Sequence, residues 1–158
     1  MSQTVYAQDA PYWGTSVDEA KSQYAVMALL EKWGASSVGL RRSATGEGEI
    51  YFEFEDRTYR LTRRPLPIRE RGFYRQDPNP DRSLIIKARM QAWRALVYHL
   101  KAILEGVLWE GMAVTFLPYL VLPSGQVLHE VPPEALVQNV LPRPSESATD
   151  TEFTASDV

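Results

Sequence analysis

The sequence predicts an α+β domain, an antiparallel sheet packed by an N-terminal helix and a long central helix, in the order α-β-β-β-α-β-β-α. Three observations carry this expectation. Apolar residues from Ile86 to Val107 step by four and three without a break, which is the helical period. Ile50, Phe52 and Phe54 alternate with Tyr51, Glu53 and Glu55, the period-two pattern of a half-buried strand. The chain has 158 residues, 44% of them apolar, enough for one core and short for two. The expected division is a flexible N-terminal lead over residues 1–15, a single domain over 16–141 and a disordered acidic tail over 142–158.

Taken in order, the first helix is expected from Val17 to Trp33. Ser16 followed three residues later by Glu19 fits a capping box, Gly34 supplies the stop, and Val17, Ala20, Tyr24, Met27 and Leu30 form a stripe towards the core. A short strand over Val38–Arg42 leads into Ser43-Ala44-Thr45-Gly46-Glu47-Gly48, a connection rich in turn formers. The strand Ile50–Phe54 then turns near Asp56-Arg57 to pair with Thr58–Arg64. This register sets Phe54 against Tyr59 and Phe52 against Leu61 on the inner face, and Glu53 against Arg60 outside.

Pro65 and Pro67 end the third strand, and a connection of 18 residues, 66–83, carries Arg69, Arg71, Arg75 and Arg82. Loops of that length are commonly functional or disordered. The long helix begins near Ser83 with Ile86, Met90, Trp93, Val97, Leu100, Leu104 and Val107 as its seam. Lys87, Gln91, Arg94, Tyr98, Lys101 and Glu105 give it a polar, mostly basic stripe. Its small residues Ala88, Ala95, Ala102 and Gly106 either face water or admit another backbone. A second hairpin is expected from Phe116–Leu122 and Gln126–Glu130 around Pro123-Ser124-Gly125, then a short helix over Pro133–Val140 packed by Leu136 and Val140. After Val140, Pro, Ser, Thr and acidic residues dominate, a composition that cannot bury enough surface to offset ordering entropy.

Several chemistries are excluded or disfavoured. Without cysteine there is no disulfide, thiolate zinc site or cysteine nucleophile. Met1–Gly14 lacks the basic residues and apolar run of a signal peptide, and the charges through Leu84–Gly111 oppose a membrane span. Gly46-Glu47-Gly48-Glu49 joins two strands and carries carboxylates, so it does not read as a phosphate loop. His99 and His129 have no carboxylate at ligand spacing, and Ser124 lacks a nucleophile elbow. Glu53 and Glu55, on one outer strand face, could gather a divalent ion in a nuclease, but read better as solvated partners of Arg60 and its neighbours. No catalytic residue, metal or cofactor is assigned, and the chain reads as a non-enzyme.

The net charge of -3 hides an asymmetry. From Arg41 to Lys101 the local net is +6, with flanks at -9, and 13 of the 17 basic residues are arginine. Arginine makes bidentate contacts to phosphate and stacks on rings, and aromatic residues are interspersed through the same stretch. The expected nucleic-acid-binding set is therefore Arg63, Arg64, Arg69, Arg71, Phe73, Tyr74, Arg75, Lys87 and Arg94, for DNA or RNA. The alternative is a protein-interaction module or host-factor inhibitor, either receiving an acidic protein on this surface or using the helix seam or small-residue stripe.

The run Glu31-Lys32-Trp33-Gly34-Ala35, the hairpin Tyr51-Phe52-Glu53-Phe54 to Tyr59-Arg60-Leu61 with Pro65-Leu66-Pro67, the helix Gln91-Ala92-Trp93-Arg94-Ala95-Leu96 to Lys101-Ala102-Ile103-Leu104-Glu105, and Phe116 to Leu122-Pro123-Ser124-Gly125 resemble a group of small uncharacterised proteins of bacteriophages and prophages. These are core and turn positions, so the resemblance implies a fold and a mobile-element protein in the cytoplasm of a bacterial host, with no catalytic residues to carry over. The helix, three strands, helix order also looks like a double-stranded RNA-binding domain, whose basic cluster opening the second helix is reduced here to Lys87 and Arg89.

Overall fold

A computed structural model describes residues 3–135. The chain divides into two compact units, 1–128 and 129–158. In the first, α1 (Glu19–Lys32), β1 (Ser37–Arg42), β2 (Gly48–Phe54), β3 (Arg57–Arg63), α2 (Arg82–Glu110) and α3 (Met112–Phe116) follow in order. The α+β class holds. In the second, a turn is closed by the Ala135 N–H donating to the Pro132 carbonyl at 3.0 Å. Most of the expected helix over Pro133–Val140 and the whole acidic tail lie outside the described residues.

The sheet is antiparallel with order β1-β2-β3. Its hairpin turns one residue earlier than expected, on Glu55 and Asp56, both with positive φ (50° and 63°). Left-handed backbone at both central positions is what a two-residue loop needs to match the strand twist. The pairing accordingly shifts by two, to Phe52↔Tyr59 and Ile50↔Leu61. A shift of two keeps every side chain on its face, so the inner set Ile50, Phe52, Phe54, Tyr59 and Leu61 is buried as the alternation requires. Outside, Glu53 faces Thr58 rather than Arg60, and the Arg60 guanidinium lies 5.9 Å from the Tyr51 ring centre. Glu55, held in the turn, does not extend a carboxylate row along the strand.

Helix α1 begins two residues later than the capping box suggested. Asp18 rather than Ser16 caps it, its carboxylate accepting the Lys21 N–H at 2.8 Å. The buried face runs through Ser22, Val26 and Leu30, whereas Tyr24 is exposed. Apolar residues occur on more than one side of this helix, so spacing allowed two phases, and packing against α2 and the sheet selects one. On α2 the seam holds from Trp93 through Val97, Leu100 and Leu104, and widens to Ala92, Leu96 and Ile103. At the start of the helix Ile86 is exposed instead, while Ala88 is buried against Ala7 and Ile68 in a second cluster. The small stripe there admits the N-terminal segment.

That segment is not a free lead. Tyr6 and Ala7 are buried, the Ala7 N–H donates to the Pro67 carbonyl at 2.9 Å, and Gln91 clamps the turn. Its Nε2 donates to the carbonyls of Ala7 (2.8 Å), Pro11 (2.9 Å) and Ala10 (3.2 Å). Gln91, expected on the polar stripe, is 3% exposed.

The second hairpin is reduced. Phe116 ends α3 instead of starting a strand, and only single bridges remain, Val121↔Val127 and Tyr59↔Leu120. The turn itself forms, with Gly125 at φ 85° and its N–H donating to the Leu122 carbonyl at 2.8 Å. The Leu120 bridge brings this segment to the open edge of β3.

Gly46 and Gly48, which composition alone reads as turn formers, are both buried. A Cβ on Gly48 would lie 2.5 Å from the Trp93 ring. The indole cannot swing away as a flexible chain would, so Gly48→Ala is expected to destabilise by about 1–3 kcal/mol, read from chemical denaturation.

Candidate functional site

The expected binding residues fall into three groups. The first is the connection before α2, which is ordered as a small hairpin. The Asp77 N–H donates to the Ile68 carbonyl (2.7 Å), Glu70 to Arg75 (2.9 Å) and Phe73 to Glu70 (3.1 Å), with Gly72 at φ 81° in the bend. Gln8 pairs with Arg69 like an extra strand residue: its Nε2 donates to the Arg69 carbonyl and its Oε1 accepts the Arg69 N–H, both at 3.0 Å.

This support projects the side chains outward. Phe73 is 57% and Tyr74 62% exposed. The Arg75 guanidinium lies 4.7 Å from the Phe73 ring centre, and Arg69 lies 5.8 Å from Tyr74. Tyr6 meets Tyr74 edge to face at 5.2 Å. Two of the cations have acidic neighbours. Arg75 Nε donates to Glu70, which holds that carboxyl below its usual range, and Arg69 lies 3.4 Å from Asp9. Beside the hairpin is a hollow of about 840 Å³, lined by Arg69, Arg71, Phe73 and Tyr74 together with Asp77 and Asp81.

On the second surface, α2 meets the N-terminal segment. The Lys87 ammonium is 4.6 Å from the Trp13 ring centre. Tyr12 stacks on Tyr98 at 4.9 Å with planes 3° apart, and Arg94 and Lys101 flank Tyr98 at 5.0 and 5.3 Å. Arg94 also donates to the Tyr98 hydroxyl at 3.4 Å, and this bond lowers the phenol's pKa. The aromatic density of the lead was visible in the sequence. Its destination was not, because nothing there has a period.

At the end of β3 the charges are spent internally. Exposed Arg64 pairs with Glu47 at 3.2 Å. Arg63 is turned against α2, its Nη2 donating to His99 Nδ1 at 2.7 Å. A guanidinium can only donate, so Nδ1 is the acceptor and the ring proton of neutral His99 sits on Nε2, 3.2 Å from the Tyr119 hydroxyl. Burial first, then the Arg63 charge, lowers the His99 pKa. The unfolded chain therefore binds a proton before the folded one does. The stability that neutral His99 contributes is complete above about pH 6.5, the ordinary histidine value, and is lost as pH falls through the depressed folded value. Denaturation at pH 7.5 and pH 5 should show a larger loss in the wild type than in His99→Gln.

Among the described residues, no three His, Asp or Glu side chains gather at metal-binding distance, and no helix is long and apolar enough to cross a membrane. From Trp93 to Leu104 the seam of α2 is buried in the core and is not an available interface, but Ile86 (45%) near its start and Leu108 (70%) and Trp109 (84%) at its end are exposed. No protein-family model, no curated protein and no solved structure matches this chain.

Proposed function

We propose that the chain is a non-enzymatic accessory protein that binds single-stranded nucleic acid through the hairpin 69–76, in the phage or prophage setting that the sequence resemblance implies. The observation that carries this reading is the exposure of Phe73 and Tyr74, each with an arginine beside its ring, on a backbone-bonded support next to the hollow lined by Arg71. Exposed rings take the faces of bases and the guanidinium groups take phosphates. Placement on an ordered hairpin lowers the entropy cost of binding.

Anisotropy titrations with labelled DNA and RNA strands test the reading. Affinity is expected to fall steeply with added salt and to collapse when Arg69, Arg71 and Arg75 are replaced together by alanine. Phe73→Ala with Tyr74→Ala is expected to weaken binding roughly tenfold or more, since each stacked base is worth about 1–3 kcal/mol. Absence of binding at low salt to single strands and duplexes of either kind removes the proposal.

One observation favours a second reading, a protein-interaction module: Leu108, Trp109, Val114 and Leu117 are all exposed around the junction of α2 and α3. A protein partner retained by the wild type and lost from Trp109→Ala, with nucleic-acid affinity unchanged, would support it.

A further inference from the structure

The geometry points to a second contact surface for the same strand, a phosphate track formed by Lys87, Arg94 and Lys101 on one face of α2; this rests on the nucleic-acid reading and adds where the strand's backbone is held. The three cations stand at intervals of seven. Seven residues are close to two full turns, so they share one face and follow one another about 10.5 Å apart along the helix axis.

Their neighbours set them apart from the other expected cations. Arg64, Arg69 and Arg75 each have a carboxylate nearby, on Glu47, Asp9 and Glu70 in turn. Among the described residues no ion pair forms at Lys87, Arg94 or Lys101, and Glu105, one turn beyond Lys101, does not reach it. They meet rings instead: Lys87 lies over Trp13, and Arg94 and Lys101 lie over Tyr98. A ring face attracts a cation without neutralising it, so the charge remains for an anion.

The N-terminal segment supplies this arrangement. Tyr12 and Trp13 are adjacent in the chain, yet their rings meet Tyr98 and Lys87, eleven positions or about 16 Å apart along α2. The two rings part at Tyr12, whose φ of 70° is a left-handed conformation that bulky residues adopt at a cost. Gln91, between Lys87 and Arg94 on the same stripe, fixes the segment to the helix through the carbonyls of Ala7, Ala10 and Pro11. Tyr12 and Tyr98 spend a face on each other, and Trp13 packs against the second apolar cluster. These rings therefore position cations, and the stacking of bases falls to Phe73 and Tyr74. Cations held in place before binding lose less side-chain freedom on meeting phosphate. The track also adjoins the hairpin: Leu84, one turn before Lys87, lines the hollow beside Phe73, and Leu84 and Trp13 both pack against the cluster of Ala7, Ile68 and Ala88.

The experiment measures binding of a labelled 12-mer DNA strand and of a fully abasic strand of the same length, by anisotropy over a range of salt concentrations. One variant combines Lys87→Gln, Arg94→Gln and Lys101→Gln, a second carries Lys101→Gln alone at an exposed position, and a third carries Lys87→Arg with Lys101→Arg, which keeps the charges. Single strands release about 0.7 counterions per phosphate contact, so the triple variant is expected to flatten the slope of log affinity against log salt by about 2, Lys101→Gln by about 0.7, and the arginine variant not at all. The triple variant is expected to weaken both strands by the same factor, roughly tenfold or more at low salt, whereas Phe73→Ala/Tyr74→Ala weakens the base-bearing strand alone and leaves the slope unchanged. A wild-type slope in both the triple variant and Lys101→Gln overturns the track and leaves the hairpin reading intact. A flattened slope there, with wild-type binding by the hairpin variants, upholds the track and removes the hairpin. If the wild type binds neither strand at low salt, both fall. Displacement of the strand by polyglutamate as readily as by polyphosphate of equal charge would mark a surface for acidic protein and overturn the phosphate assignment.

Discussion

Phe116→Ala is expected to destabilise the protein by about 3–5 kcal/mol, measured by urea or thermal denaturation, which is enough to unfold a marginal domain. Phe116 is 0% exposed. Its ring lies 5.4 Å from Phe52, 5.6 Å from Tyr59 and 5.7 Å from Phe54, so it closes the aromatic layer over the sheet's inner face. Truncation would leave a cavity bordered by three large rings that cannot collapse together. Phe116→Leu, which keeps most of the volume, is expected to cost much less. Equal losses from the two variants would show that the ring is not part of the packed core.

Gln91→Leu is the second large effect, about 2–4 kcal/mol. It keeps the side chain's bulk but strips the donors from three carbonyls, of which that of Ala7 lies in the fully buried bond, and a stranded buried acceptor costs about 1–3 kcal/mol. The loss should be local as well as global. Hydrogen exchange is expected to rise at Ala7, whose N–H bonds to Pro67, and across the Gln8 to Arg69 pairing. Protection there equal to the wild type would mean that the clamp is not what holds the segment.

These two residues mark where the sequence was legible and where it was not. The face alternation of Ile50, Phe52, Phe54, Tyr59 and Leu61 and the period of Trp93, Val97, Leu100 and Leu104 were readable because each pattern repeats over its whole element. The hairpin register slipped because nothing in Glu55-Asp56-Arg57 advertises which two residues go left-handed. Phe116 to Leu122 is a short apolar run, and such runs carry no period that separates helix from strand, so the sequence does not show that Phe116 ends a helix. Gln91 followed Lys87 and preceded Arg94 on a polar stripe, which says nothing about a neighbouring chain segment arriving to use its amide.

The candidate site divides along the same line. Local order fixed the arginine and aromatic content of residues 69–75, and a bend at Gly72 is enough to present Phe73 and Tyr74 together. Whether each cation faces solvent depends on partners far along the chain. Arg63 is turned inward by His99, Arg64 is paired by Glu47, and Arg69 is placed by Gln8 and Asp9. From the amino-acid order alone come the class of fold, the strand faces, the axis of the long helix and the basic middle of the chain, all of which are short-range periodicities or sums. The turn position, the helix phase and the docking of the N-terminal segment arise from contacts between residues as many as 84 positions apart. Burial and hydrogen bonding at such separations depend on the three-dimensional path of the whole chain, which no local pattern encodes.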